Sequence, residues 1–380
     1  MGSMKTSDFD YELPESLIAR EPVARRDSCR LLHVPAGEAA PFEHLMFHDL
    51  PQLLRAGDVL VLNDTRVIRA RLLGRGGEEG QGPVEIFLLS AVEAPDGVES
   101  GEGEYWRCLG RPGRRLRVGS RVELPGGAVA HVVGIEAGGE RVVSFELPAG
   151  LASVVDYAEA HGHPPLPPYI LQARKHLDGD HAPAHERDVV DYQTVYAREG
   201  RSVAAPTAGL HLTQELLQTL SARGVGVVRV RLDVGAGTFR PVEAENPAEH
   251  PMHEEPWWVE PESAAVLNAA LAAGNRVIAV GTTSLRVIES AVEPDGTMPG
   301  GWRVTSGQGA TRLMILPGWR FRVASGLITN FHLPRSTLLM LVSAVSGRER
   351  ILAAYREAVA REYRLFSYGD ACLLWMRVES

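Results

Sequence analysis

Arg276-Val277-Ile278-Ala279-Val280-Gly281-Thr282-Thr283-Ser284-Leu285-Arg286 is the stretch on which the fold turns. Residues 276–280 are a short β-branched run, too brief for a helix, and read as a buried strand. Gly281 ends the run, and residues 287–291 resume with helical spacing. A buried strand passed through a glycine turn to a helix is the repeating unit of an α/β sheet.

The same alternation appears on either side. Thr213, followed by Gln214 and Glu215, supplies a capping hydroxyl and an acid for a helix that Gly224 stops. Residues 225–234 read as a second buried strand, and residues 261–273 as an amphipathic helix closed by Gly274. Residues 337–345 and 348–363 have helical spacing. Pro164-Pro165-Leu166-Pro167-Pro168-Tyr169 reads as an extended connector, too rich in proline for a helix. Between residues 82 and 148 the pattern changes to period two, with Val84, Ile86 and Leu88 on one face. Further short strands are expected at 106–109, 115–118, 121–124, 129–135 and 141–147, punctuated by Gly and Pro. The expected architecture is α/β. A large domain with a mostly parallel sheet (residues 4–75 and 152–380) carries an inserted small antiparallel β-barrel (residues 76–151).

Bulk properties narrow the function. No apolar run approaches the ~18 residues that span a bilayer. The three cysteines, Cys29, Cys108 and Cys372, have no paired spacing, so the chain reads as a reduced, cytoplasmic protein. A net charge of −9 argues against a general nucleic-acid coat. One basic island stands out: six arginines and no acid between Tyr105 and Arg121. It is either a soluble barrel edge or a phosphate-tracking patch whose binding would weaken steeply with salt.

In open α/β sheets, ligands bind beyond the carboxyl ends of strands, where loop amides and helix N-termini converge. Four polar or glycine-rich runs fit that place: residues 204–211, 234–239, 281–286 and 329–337. In the third, Thr283 or Ser284 could cap the following helix and leave amides free for an anion. Asn330, His332 and Arg335 in the fourth exceed what a turn requires. His250 and His253 with Glu254 and Glu255 resemble metal ligands, but Pro251 interrupts the helix such spacing needs and no cysteine pair completes the set. No metal is expected. Leu232-Asp233-Val234-Gly235-Ala236-Gly237 resembles the glycine loop of class I methyltransferases, which would make an RNA methyltransferase the alternative. Those loops open a helix, however, and Phe239-Arg240-Pro241 follows here.

Taken together, the runs Ser202 to His211, Val234-Gly235-Ala236-Gly237-Thr238-Phe239, Met252-His253-Glu254, Gly281 to Ser284, Leu327 to Pro334 and Phe366-Ser367-Tyr368-Gly369-Asp370-Ala371 resemble one family. So do Phe9 to Pro14 and Asn63-Asp64-Thr65-Arg66-Val67. The family is the S-adenosylmethionine:tRNA ribosyltransferase-isomerases of queuosine biosynthesis, and the resemblance runs in order from Met4 to Trp375. The family pattern has His where this chain has Asp233, which leaves that position without an expected role.

The resemblance implies an α/β domain with an inserted barrel. It implies transfer of the ribosyl group of S-adenosylmethionine to 7-aminomethyl-7-deazaguanine at the wobble position of a tRNA with a GUN anticodon. The products are epoxyqueuosine, adenine and methionine. No metal or redox cofactor, no membrane and a monomer are expected. Such chemistry needs an anion site for the methionine carboxylate, a home for the sulfonium and a proton donor for adenine. Expected to hold S-adenosylmethionine are Thr207, Gly235, Gly237, Phe239, Gly281, Thr282, Thr283, Ser284, Arg286, Asn330 and Phe331. Candidate catalytic residues are His253, Glu254, His332 and Asp370. His211, framed by Leu210 and Leu212, is either a further one or a core residue. Arg66, Arg107, Arg111, Arg114, Arg115 and Arg117 are the expected RNA contacts.

Overall fold

A computed structural model describes residues 4–37, 39–76, 82–95, 103–136, 138–178, 187–235, 242 and 244–377. The chain opens with strands β1 (Arg30–Val34), β2 (Glu43–Met46) and β3 (Val59–Asn63). Six strands follow: β4 (Arg71–Gly76), β5 (Gly82–Val92), β6 (Tyr105–Arg111), β7 (Arg121–Glu123), β8 (Val129–Ile135) and β9 (Arg141–Glu146). They close into an antiparallel barrel in the order β4-β5-β6-β9-β8-β7. The remainder supplies β10 (Gly226–Leu232), β11 (Glu255–Val259), β12 (Val277–Val280), the hairpin β13 (Val292–Pro294) and β14 (Trp302–Val304), then β15 (Gly307–Thr311), β16 (Gly326–Asn330) and β17 (Ala371–Trp375).

Among the described residues nine strands form one sheet, ordered β15-β11-β10-β3-β12-β16-β17-β1-β2. Its centre, β10-β3-β12-β16, is parallel. The expected mostly parallel sheet is in fact mixed, because β11 and β15 add antiparallel on one flank, while β17 runs against β16 and β2 against β1. Every residue of β3, β12 and β16 is buried, as a strand covered on both faces must be. Alternation along β3 sorts the layers. Val59 and Val61 pack with the helices Pro261–Ala272, Thr282–Ser290, Thr337–Ser346 and Arg348–Ala360, whereas Leu60 and Leu62 face the helix Gln214–Ala222. That last helix starts as expected, with Thr213 accepting from the Leu216 amide, and Gly224 follows it at φ +81°.

Three local expectations change. Residues 115–118 are not a strand. The Ser120 hydroxyl accepts from the Arg117 amide and donates to the Arg115 carbonyl, each at 3.0 Å, which satisfies that backbone locally instead of in a ladder. Residues 168–169 open a helix, Pro168–Asp178, since proline in a first helical turn forfeits no hydrogen bond. The barrel begins at Arg71, because β4 pairs with both β5 and β7, and the helix Val154–His161 buries Val154, Tyr157 and Ala158 in the barrel core.

Candidate functional site

The four central strands are parallel, so their carboxyl ends lie together, and Asn63 at the end of β3 ties them. Its amide oxygen accepts from the Leu232 amide at 3.0 Å and the Thr65 amide at 3.3 Å. Its nitrogen donates to the Leu232 carbonyl at 3.0 Å and to Thr283 Oγ1 at 3.1 Å. Ser202 plays a similar part, accepting from the Val234 amide at 2.9 Å and donating to the Ala204 carbonyl at 2.7 Å. Both residues are fully buried. Ser202→Ala leaves the Val234 N–H without its acceptor and is expected to cost about 1–2 kcal/mol in a urea melt. A loss under about 0.5 kcal/mol would show that water takes the hydroxyl's place.

Beyond β12, Gly281 adopts φ +87°, a turn that suits glycine, and the helix Thr282–Ser290 follows with no side chain capping its N-terminus. The expected hydroxyl cap does not form. Thr283 is engaged by Asn63, and the buried Ser284 hydroxyl turns back to the Val280 carbonyl at 2.8 Å. The first amides therefore face the cleft with their partial positive charge.

That cleft encloses about 740 Å³, open to solvent, between residues 204–208, Gly281-Thr282-Thr283, residues 329–333 and Phe366-Ser367. Of the expected ligand-holding residues it unites Thr207, Gly281, Thr282, Thr283, Asn330 and Phe331, with His332 among the catalytic candidates. No Asp, Glu, Lys or Arg is among its described walls. His211 lies directly behind, its Nδ1 3.3 Å from Cys29 Sγ and its Nε2 2.9 Å from Asn330 Nδ2. Asn330 also donates to the Phe366 carbonyl at 3.1 Å. These contacts orient the amide with its nitrogen inward and leave Oδ1 buried without a partner among the described residues. His332 Nε2 sits 2.9 Å from Thr329 Oγ1. Burial lowers His332 to about 3; burial, then the charges of Arg26 and Arg364, lower His211 to about 3 as well. Both imidazoles are neutral at physiological pH.

A second pocket, about 530 Å³, shares Leu338 with the cleft. His253, Glu255 and Arg286 line it with Met252, Leu313, Met314 and Leu341. Arg286 therefore faces away from the amides of its own helix start. Its Nη1 pairs with Glu255 and its Nε donates to the Leu313 carbonyl at 3.0 Å. Glu255 also accepts from the Gly235 amide at 3.3 Å, which places Gly235 behind this pocket. Gly237 and Phe239 lie outside the described residues.

Residues 6–374 match the family model described as queuosine biosynthesis protein. A Symbiobacterium thermophilum protein named S-adenosylmethionine:tRNA ribosyltransferase-isomerase is 47% identical over 98% of this chain and 100% of its own length. A Mesorhizobium japonicum protein of the same name is 49% identical over 98% of each. The crystal structure of S-adenosylmethionine tRNA ribosyltransferase from Thermotoga maritima aligns with a TM-score of 0.50 at 33% identity, over 97% of this chain and 99% of that one. The chain belongs to the queuosine biosynthesis protein family.

For this member of the queuosine biosynthesis family, other expected residues fall outside both cavities. Asp370 is buried and occupied: its oxygens take the Arg30 amide at 2.8 Å, Arg30 Nε at 3.1 Å and the Arg364 amide at 2.8 Å. Glu254 is exposed and paired with Arg312 at 3.2 Å; its neighbour Glu255 is the buried carboxylate. Alternation in β11 decides this, since Glu255, Trp257 and Val259 point inward. The same parity was available in the sequence. Asn63 was also within reach, inside one of the quoted runs, but with no sign of its four bonds. The arginines Arg111, Arg114 and Arg117 are exposed on the barrel. Arg107 is held by Glu136 at 2.7 Å, Arg115 donates to the Pro83 carbonyl at 3.2 Å, and Arg66 lies 3.7 Å from Glu159. None of the six lines the cleft.

Proposed function

We propose that this chain is an S-adenosylmethionine:tRNA ribosyltransferase-isomerase, with the strand-end cleft as its active site. The substrate is 7-aminomethyl-7-deazaguanine at the wobble position of a tRNA with a GUN anticodon. The sulfonium acidifies the adjacent ribose C–H, and a base removes that proton. Adenine leaves, the aminomethyl nitrogen bonds to the ribosyl carbon, and methionine departs as the epoxide closes.

One observation carries the reading: a cleft at the carboxyl ends of four parallel strands with no charged side chain among its described walls. A sulfonium nucleoside needs aromatic and carbonyl surroundings for its cation, and Phe331 and Phe366 lie in those walls. With no carboxylate among the described walls, and with burial lowering His332 to about 3 and so making it a weak base, the substrate's own amine is the base that fits. His211 is excluded as a proton carrier by its two occupied ring nitrogens.

Against the methyltransferase alternative, the described residues between β10 and the antiparallel β11 hold only a short 3₁₀ turn, Pro247–Glu249; residues 236–241 and 243 lie outside the described residues. The separating assay incubates the protein with S-adenosylmethionine and tRNA carrying 7-aminomethyl-7-deazaguanine and separates the products by chromatography. Adenine and methionine in equal amounts are expected; S-adenosylhomocysteine would overturn the reading.

A further inference from the structure

The cleft offers no charged side chain among its described walls to pair the two charges of an amino acid, yet S-adenosylmethionine carries an α-carboxylate and an α-ammonium. Charges removed from water need paired, hydrogen-bonded partners. The second pocket has both. Arg286 is 6% exposed, and among the described residues its Nη2 meets no acceptor, although Nη1 and Nε are occupied. Glu255 is 5% exposed and keeps lone pairs beyond those given to Arg286 and the Gly235 amide. A buried ion pair with one donor nitrogen left over is complementary to a zwitterion: carboxylate on the guanidinium, ammonium on the carboxylate. Leu338 lines both cavities and so places them side by side, and Leu313, Met314 and Leu341 offer apolar surface to an aliphatic chain.

We infer that the Glu255–Arg286 pocket binds the amino-acid end of S-adenosylmethionine, while the nucleoside lies in the neighbouring cleft. This rests on the proposed function, and it separates the helix-start amides from the carboxylate: the amides face the nucleoside side.

The test compares S-adenosylmethionine with its decarboxylated analogue, S-adenosylmethioninamine, reading adenine release with acceptor tRNA. The wild-type protein is expected to use the analogue about 10- to 100-fold less efficiently, the worth of a lost charge-assisted hydrogen bond. Arg286→Lys keeps a cation beside Glu255 but removes the spare donor. It should lower kcat/KM for S-adenosylmethionine about 10- to 100-fold and leave the analogue within about 3-fold, so that discrimination collapses. Met314→Trp leaves the ion pair intact and fills the pocket; it should raise KM for S-adenosylmethionine with an unchanged melting temperature. Equal losses on both substrates in Arg286→Lys, equal use of both by the wild type, or an unchanged KM in Met314→Trp would each overturn the assignment. Absence of adenine release from the wild type would instead overturn the proposed function and is read separately, by calorimetric binding of S-adenosylmethionine.

Discussion

Lowering the pH from 7.5 to 5 is expected to remove about 4 kcal/mol of folding stability through His211 and His332 together. Each has an ordinary value of 6.5 and is lowered to about 3 in the fold, first by burial. The depressed value means the folded state refuses a proton that the unfolded chain accepts. Stability from this source is complete above pH 6.5 and declines as the pH falls toward 3. The slope is roughly 1.4 kcal/mol per pH unit for each histidine inside that window. Urea melts at the two pH values measure it, and His332→Gln isolates one share. The gap between wild type and variant should narrow by about 2 kcal/mol at pH 5. A gap indifferent to pH would mean that His332 takes up its proton in the fold as readily as in the unfolded chain. The same physics bears on catalysis: neither residue supplies an imidazolium to departing adenine near neutral pH.

How far this site could be read in advance depended on the range of the interactions involved. The strand, glycine turn and helix at 277–290 were visible because apolar run, positive-φ glycine and helical spacing are all local. So were the barrel strands, apart from residues 115–118, where a single serine five residues from the carbonyl it satisfies diverted the backbone. Sheet order is a different matter. That β17 runs parallel to β1 depends on segments more than three hundred residues apart, and its antiparallel pairing with β16 on segments more than forty apart. The partners of Asp370 were hidden for the same reason, since Arg30, which occupies it, is 340 residues away. The exposure of Glu254 has a shorter-range cause: the parity of the strand that ends at Val259 turns Glu255 inward and leaves Glu254 outside. Arg286 lies one helical turn beyond Thr282 and Thr283, on the same side of the helix, and it is long-range partners, Glu255 and the Leu313 carbonyl, that draw its side chain into the adjoining pocket.

Asn330→Asp should produce the reverse of the histidine effect and a comparably large one. The Asn330 amide nitrogen donates to the bare Nε2 of a neutral His211 and to the Phe366 carbonyl. A carboxylate of the same shape would set acceptors against both. The conflict is resolved only by binding a proton, either on the introduced carboxyl, whose ordinary value is about 3.9, or on the imidazole. Holding that proton on the carboxyl at pH 7.5 costs about 5 kcal/mol, and the cost falls by roughly 1.4 kcal/mol for each unit of acidification. The folded variant thus carries one proton more than its unfolded chain, so its deficit against wild type should shrink as the pH drops from 7.5 to 5.5. Asn330→Ala gives the contrast: it leaves two acceptors unpaired at about 1–3 kcal/mol each, with no proton to take up and no such closing of the gap. Parallel stability curves for wild type and Asn330→Asp would mean that the amide nitrogen does not face His211, and that the buried Oδ1 at the cleft wall is not the free acceptor its two donor contacts make it.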